Sequence, residues 1–200
     1  MKKLPNNLDD PMDNIFSYIS DLFSPPCKKI GMTPNSITTI SLIFGVLAIY
    51  YMIIANYQLA AIFYLIAYFF DVMDGYYARK YNMETEFGDY YDHFADMFKN
   101  GVILIILIYL LYIHGKYEYI LLIVILGIIS MIQLGAQEKY LDSISSTHQK
   151  SSTLSNFKSL CFANDKESIE NILKYTRFSG VGITVVIISI IIFNLDAILK

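Results

Sequence analysis

An all-α polytopic membrane protein is the fold class that this sequence predicts: a bundle of about five or six transmembrane helices with an N-terminal interfacial helix. Three observations predict it. Hydrophobic residues make up 55% of the 200-residue chain and charged residues only 16%, where a soluble domain carries about 25% charged residues. No charged side chain occurs between Asn35 and Asp71, a stretch well beyond the ~20 apolar residues that one bilayer-spanning helix needs. The lysines and arginines that flank the apolar runs gather on one side of an alternating path, as the positive-inside bias requires. The same composition excludes disorder, which needs a polar, highly charged chain. Fifteen Lys and Arg against eighteen Asp and Glu give a formal net charge of -3, so the basic surface of a nucleic-acid binder is absent.

The opening MKKLPNNLDD has no apolar run after its lysines, so a cleaved secretory signal is not expected. Residues 1–30 read as a cytoplasmic or interfacial N-terminal segment, ahead of a membrane domain over 31–200. In that segment Ile15, Tyr18, Ile19 and Leu22 recur at helical spacing, which predicts an interfacial helix. Pro25-Pro26 should end it. Cys27 and Cys161 form no CxxC pair and read as free thiols. With 17 Tyr, 13 Phe and no Trp, tyrosine supplies the interfacial aromatic belt.

The first span is expected over Ile37–Ile54, followed by a tight turn at Ala55–Gln58. The second begins near Tyr57, but only Leu59–Phe70 is free of polar groups. Those twelve residues give about 18 Å of helix, short of a hydrocarbon core about 30 Å thick. The helix must therefore run on to about Lys80 and carry Asp71 and Asp74 into the membrane boundary. The third span repeats this in reverse. Gly101–Ile113 is too short alone, and extending it back to Phe87 brings in Asp89, Asp92, Asp96 and Lys99. A short polar link, Tyr81–Glu86, makes these two helices neighbours with their acidic ends on one membrane face.

The fourth span is expected over Tyr119–Leu134. A polar insert then occupies Ala136–Arg177, with a Ser/Thr-rich middle that reads as a mobile loop. Asn164 or Asp165 is suited to cap a helix from Lys166 or Glu167, leading into a fifth span over Phe178–Leu195. Lys28, Lys29, Arg79, Lys80, Lys139, Lys174 and Arg177 all fall on one side of such a path, against Lys116 and Lys200 on the other. The N-terminus, the acidic ends and the insert are thus expected in the cytoplasm.

The stretch from Asp71 reads DVMDGYYARKYNMETEFGDYYDHFADM. Positions three and four apart share a helix face, so Asp71, Asp74, Gly75 and Ala78 form one stripe. Gly88, Asp92 and Asp96 form another. Four carboxylates facing one cavity at a low-dielectric boundary would repel one another and lose hydration. Divalent cations relieve that, and carboxylate oxygens suit hard Mg2+ or Mn2+, with two ions roughly cancelling the charge. Acids inside spans usually mark function, whereas Asp89 is suited to an ordinary capping role. His93 points off the stripe. Two metals on carboxylates suggest phosphoryl-type chemistry, and no Walker A or dinucleotide glycine motif competes.

Asp71-x2-Asp74-Gly75-x2-Ala78-Arg79-x8-Gly88-x3-Asp92-x3-Asp96 resembles the complete signature of the CDP-alcohol phosphatidyltransferases. Thr33-Pro34-Asn35 and Thr38 resemble the segment before that family's first span. The resemblance covers roughly residues 31–134. It implies transfer of a phosphoalcohol unit from a CDP-linked donor to a hydroxyl acceptor with release of CMP. It also implies that Asp71, Asp74, Asp92 and Asp96 bind the metals and that Asp96 is the general base. Gly75, Ala78, Arg79 and Gly88 would line the CDP site, with Asn35 nearby. Homodimers are common in the family. Its core has six spans against the five read here, so a sixth is absent, hidden within Ala136–Arg177 or removed by truncation. The donor implied is CDP-diacylglycerol, with a small alcohol as acceptor. The alternative is CDP-choline or CDP-ethanolamine with diacylglycerol. The pair Asp92-His93 resembles that second subclass, but Phe94 stands where it has glycine. On the residues alone, a divalent-cation transporter and an inactive membrane scaffold are the competing classes.

Overall fold

The computed structural model describes residues 2, 4–144 and 154–200. All regular structure among them is helical. In chain order the helices are α1 (Pro11–Lys29), α2 (Pro34–Ile53), α3 (Tyr57–Lys80), α4 (Glu86–Ile113), α5 (Tyr117–Ile144), α6 (Lys166–Thr176), α7 (Val181–Phe193) and the short α8 (Leu195–Ile198). Five stretches are long and apolar enough to cross a membrane: α2, α3, α4, α5 and the α6–α7 run Lys166–Phe193. The fold is the expected all-α bundle of apolar helices, with a further helix ahead of the first span.

Local chemistry starts these helices where they start. Pro34 opens α2 behind a capping box, in which Thr33 Oγ1 accepts from Ser36 N–H at 3.2 Å and Ser36 Oγ accepts from Thr33 N–H at 3.0 Å. Ala55, at φ 57, makes the tight turn into α3. Thr85 caps α4 by accepting from Gly88 N–H at 3.0 Å. The capping role suited to Asp89 therefore belongs to Thr85. Asp89 stands one turn in, where its charge favours the helix N-terminus, and pairs with His93 at 3.5 Å.

Buried small residues on α2 (Thr38, Ser41, Gly45, Ala48) let it lie closely along α3 and α4. The main core joins these helices with α7 through Tyr64, Tyr68, Ile103, Leu107, Ile188 and Ile192. α1 rests on α3 and α7. It turns Ser17, Ser20 and Ser24 inward and leaves Ile15, Tyr18, Leu22 and Phe23 exposed. An apolar outer face and a small polar inner face suit a helix lying against the bundle at an interface.

Three expectations need correction. Pro25-Pro26 does not end α1, which runs on to Lys29. A proline at position 25 removes the N–H that would have bonded Asp21 C=O. Lys80 Nζ, from the end of α3, donates to that carbonyl at 3.3 Å and to Asp21 Oδ1 at 2.6 Å. Lys80 and Tyr76 together hold the Asp21 carboxyl below the usual range.

The fourth span does not stop at Leu134, because α5 continues to Ile144 through the start of the polar insert. Its polar end has partners. Lys139 Nζ donates to Cys161 C=O at 2.6 Å, Ala163 C=O at 2.8 Å and Asn164 Oδ1 at 3.0 Å, and Glu138 and Tyr140 are buried. The expected mobile loop lies, over 145–153, outside the described residues.

The fifth span is not one helix over Phe178–Leu195. Asp165 caps α6 as expected, accepting from Ser168 N–H at 2.8 Å. The chain then breaks at Gly180 before α7 starts. A Cβ on Gly180 would stand 2.3 Å from Gln133 Oε1 and 2.4 Å from Asp10 Oδ2, so only glycine fits where α1, α5 and α7 converge.

Candidate active site

The link Tyr81–Thr85 turns the chain back so that the ends of α3 and α4 lie together. Asp71, Asp92 and Asp96 each place a carboxylate oxygen within 4.8 Å of the others. Helix register explains why. Asp92 and Asp96 are one turn apart on α4, and Asp71 faces them from α3. Asp74 stands outside this triad. It is 4% exposed, and its Oδ2 accepts from Thr38 Oγ1 at 2.6 Å. Asp74 and Asp92 both line a cavity of about 270 Å³, with Asn35, Gly75, Ala78, Arg79 and Gly88. Of the nine residues that the sequence singled out for this site, seven line the cavity. Asp71 and Asp96 join Asp92 in the triad beside it.

The Arg79 guanidinium lies over Gly75, where a Cβ would come within 3.2 Å of it. The charges nearest to Arg79 include Glu84, Asp74, Asp9 and Asp92. Gly88 brings the starts of α4 and α2 together, since a Cβ there would meet Asn35 Oδ1 at 3.1 Å. His93 stays off the acid stripe, with Nδ1 2.6 Å from the Asp89 carbonyl of its own helix.

Three participants carry no assigned role in the sequence reading: Thr38 and Lys99, which it names, and Ser41, which it does not. Thr38 orients Asp74. Lys99 is 1% exposed, with Nζ 2.6 Å from Asp71 Oδ1 and 2.7 Å from Asp96 Oδ1. Ser41 accepts from Lys99 Nζ at 2.6 Å. The one signal in the sequence is that Lys99 follows Asp96 by three, on the same face of α4.

The triad fits a divalent cation. Its ligands are hard oxygens from three carboxylates, and Asp92 Oδ1 is buried with no hydrogen-bond partner among the described residues. Such an atom is costly unless something positive meets it. Lys99 supplies a single positive charge beside the three carboxyl groups of the triad.

A second set of acids lies close by. Asp9, Asp10 and Asp13 are packed at the start of α1. Burial pushes the Asp9 carboxyl up to about 6, against the attraction of Lys2 and Arg79. Burial and the charge of Asp10 push Asp13 up to about 8, while Tyr68, donating its hydroxyl at 2.5 Å, pulls the other way.

Comparison with curated proteins and with solved structures gives no match. A family model described as CDP-alcohol phosphatidyltransferase matches residues 31–163, which hold α2 to α5, both acid stripes and every residue lining the cavity. With that match across most of its length, the chain belongs to the CDP-alcohol phosphatidyltransferase family.

Proposed function

We propose that this phosphotransferase, whose family moves a substituted phosphate from a CDP-linked donor to an alcohol, takes CDP-diacylglycerol as donor and a small alcohol as acceptor. In this reading the site opens to the cytoplasm. Asp71, Asp74, Asp92 and Asp96 hold two divalent cations, Mg2+ or Mn2+. When bound, such ions supply positive charge for the donor's diphosphate and for the oxygen that leaves.

The chain's own residues do the rest. Asn35, Gly75, Ala78 and Gly88 form a close-fitting wall for the CDP unit, and Arg79 meets phosphate oxygens with charge-assisted hydrogen bonds. Asp96 accepts the proton of the acceptor hydroxyl as that oxygen bonds to the β-phosphorus. The bond from the β-phosphorus to the bridging oxygen breaks, and CMP departs with the electron pair. Thr38 keeps Asp74 turned to the cavity.

The observation that carries the reading is one cavity bordered by the small residues, Arg79 and two of the acids, with the triad beside it. Phe94, at the position of the second subclass's glycine, supports CDP-diacylglycerol as the donor.

The test is purified protein in lipid with Mn2+ or Mg2+. It is offered CDP-diacylglycerol with inositol, serine or glycerol phosphate, and separately CDP-choline or CDP-ethanolamine with diacylglycerol. CMP matched by phospholipid in the first arm is the expected result. Product confined to the second arm overturns the donor assignment, and metal flux without CMP overturns the transferase reading. Asp96→Asn should lower transfer by roughly a thousandfold with CDP affinity largely kept. Parallel loss of CDP binding removes its role as base.

A further inference from the structure

A buried lysine inside a set of metal-type carboxylates needs a reason. Lys99 could be replaced in bulk by an apolar side chain with no charge to desolvate. It is instead held at every point. Its ammonium donates to Asp71 Oδ1 and to Ser41 Oγ, each at 2.6 Å, and stands in an ion pair with Asp96 Oδ1 at 2.7 Å. Ser41 is fixed in turn, because its own proton goes to Ala67 C=O at 2.8 Å. The lysine stem is confined by Gly45, one turn along α2 from Ser41, where a Cβ would lie 2.8 Å from Lys99 Cβ. Two features of α2 thus serve one side chain of α4.

We propose that Lys99 is a positioning residue, a resident cation that locks Asp71 and Asp96 together and competes with divalent cations for the same two carboxylates. The inference rests on the reading that these acids hold metal. It adds that the site is built to bind its ions less tightly than its charge allows, in exchange for a fixed Asp96. One oxygen of Asp96 faces the ammonium, which leaves the other to meet an acceptor hydroxyl. Taking Lys99 away should therefore move two quantities in opposite directions. Metal affinity rises because a like charge has gone, and turnover falls because Asp96 is loose.

The experiment measures Mn2+ binding to the full chain in detergent, with no nucleotide or acceptor present, and then steady-state transfer. For Lys99→Met, Mn2+ affinity should rise at least about tenfold through loss of a positive neighbour. The kcat should fall on the order of a hundredfold, as for a misplaced reacting group, with the donor KM nearly unchanged. Ser41→Ala keeps every charge and frees only the ammonium's third anchor. It should show the same split at a smaller size, roughly threefold in affinity and tenfold in kcat, and Ser41→Thr should restore both. A purely structural lysine predicts loss of folded protein with no gain in metal affinity. Unchanged Mn2+ affinity in Lys99→Met, or unchanged affinity and kcat in Ser41→Ala, overturns the proposal. No Mn2+ binding by the unaltered chain is a different result, and it removes the metal reading itself.

Discussion

Two groups of buried acids lie near one another in this bundle and are treated in opposite ways. Around the start of α7, Asp10 accepts from Met12 N–H at 2.7 Å and from Ile183 N–H at 2.9 Å, and Asp9 accepts from Asp10 N–H at 3.0 Å. Asp13 takes the Tyr68 hydroxyl. These donors belong to the fold, and Gly180 and Gly182 bring the backbone hard against the carboxylates. Between α3 and α4, Asp74 has one hydroxyl donor, Asp71 and Asp96 share one lysine, and Asp92 keeps a buried oxygen unmet beside a cavity. Carboxylates met by backbone N–H groups and a tyrosine hydroxyl of the fold hold helices together. Carboxylates left short of donors beside open volume are kept for a ligand.

The sharpest way to break that contrast is to neutralise one acid in each group. Asp92→Asn should lower transfer by about a thousandfold or more, the scale of losing a metal ligand. It should leave the metal-free thermal midpoint unchanged or raised, since a repelling charge is gone. Asp10→Asn should lower the midpoint and leave turnover per folded molecule nearly intact. Transfer abolished by Asp10→Asn at normal stability would erase the distinction.

Next in size is Gly180→Ala. Its methyl has no room beside Gln133 and Asp10, so unfolding in detergent should show a loss of about 1–3 kcal/mol, typical of overpacking, with CDP affinity kept. An unaltered unfolding curve would mean that the α1–α7 junction gives way easily.

The smallest effect is on pH. Asp9 and Asp13 hold protons more tightly folded, at about 6 and about 8, than unfolded. Their stabilising contribution is complete below the unfolded carboxylate value of about 4 and is lost as pH rises through 6 and then 8. Asp10, Tyr68, Lys2, Arg79 and Asp71 face them and modulate the loss. Protection of α1 amides, corrected for intrinsic exchange, should fall from pH 5 to pH 9.

What was legible in the sequence follows from period and length. The apolar stretches were too short to span without their acidic ends, and that alone put Asp71, Asp74, Asp92 and Asp96 on facing helices. What was not legible depends on a partner from elsewhere in the chain. Pro25-Pro26 is tolerated because Lys80 reaches the freed carbonyl. The polar end of α5 stays helical because Lys139 finds two carbonyls and Asn164 further along the insert. Lys99 is buried because Ser41 and Gly45, fifty-odd residues away, make a place for it. The spacing of Ile15, Tyr18, Ile19 and Leu22 announces the helix α1, but the side that packs on the bundle is a row of serines that no hydrophobic periodicity reveals.

Only five residues, Tyr81–Thr85, separate α3 from α4, and the turn among them uses Asn82 at φ 52 with Met83 N–H bonded to Ala78 C=O at 2.8 Å. Each residue of an α-helix rotates the next by about 100°. Adding or removing one residue within α4 ahead of Asp92 would swing the Asp92–Asp96 face away from Asp71 without touching a single carboxylate. The register of the first turns of α4, set by the Thr85 cap, is therefore as strict a requirement as the acids themselves.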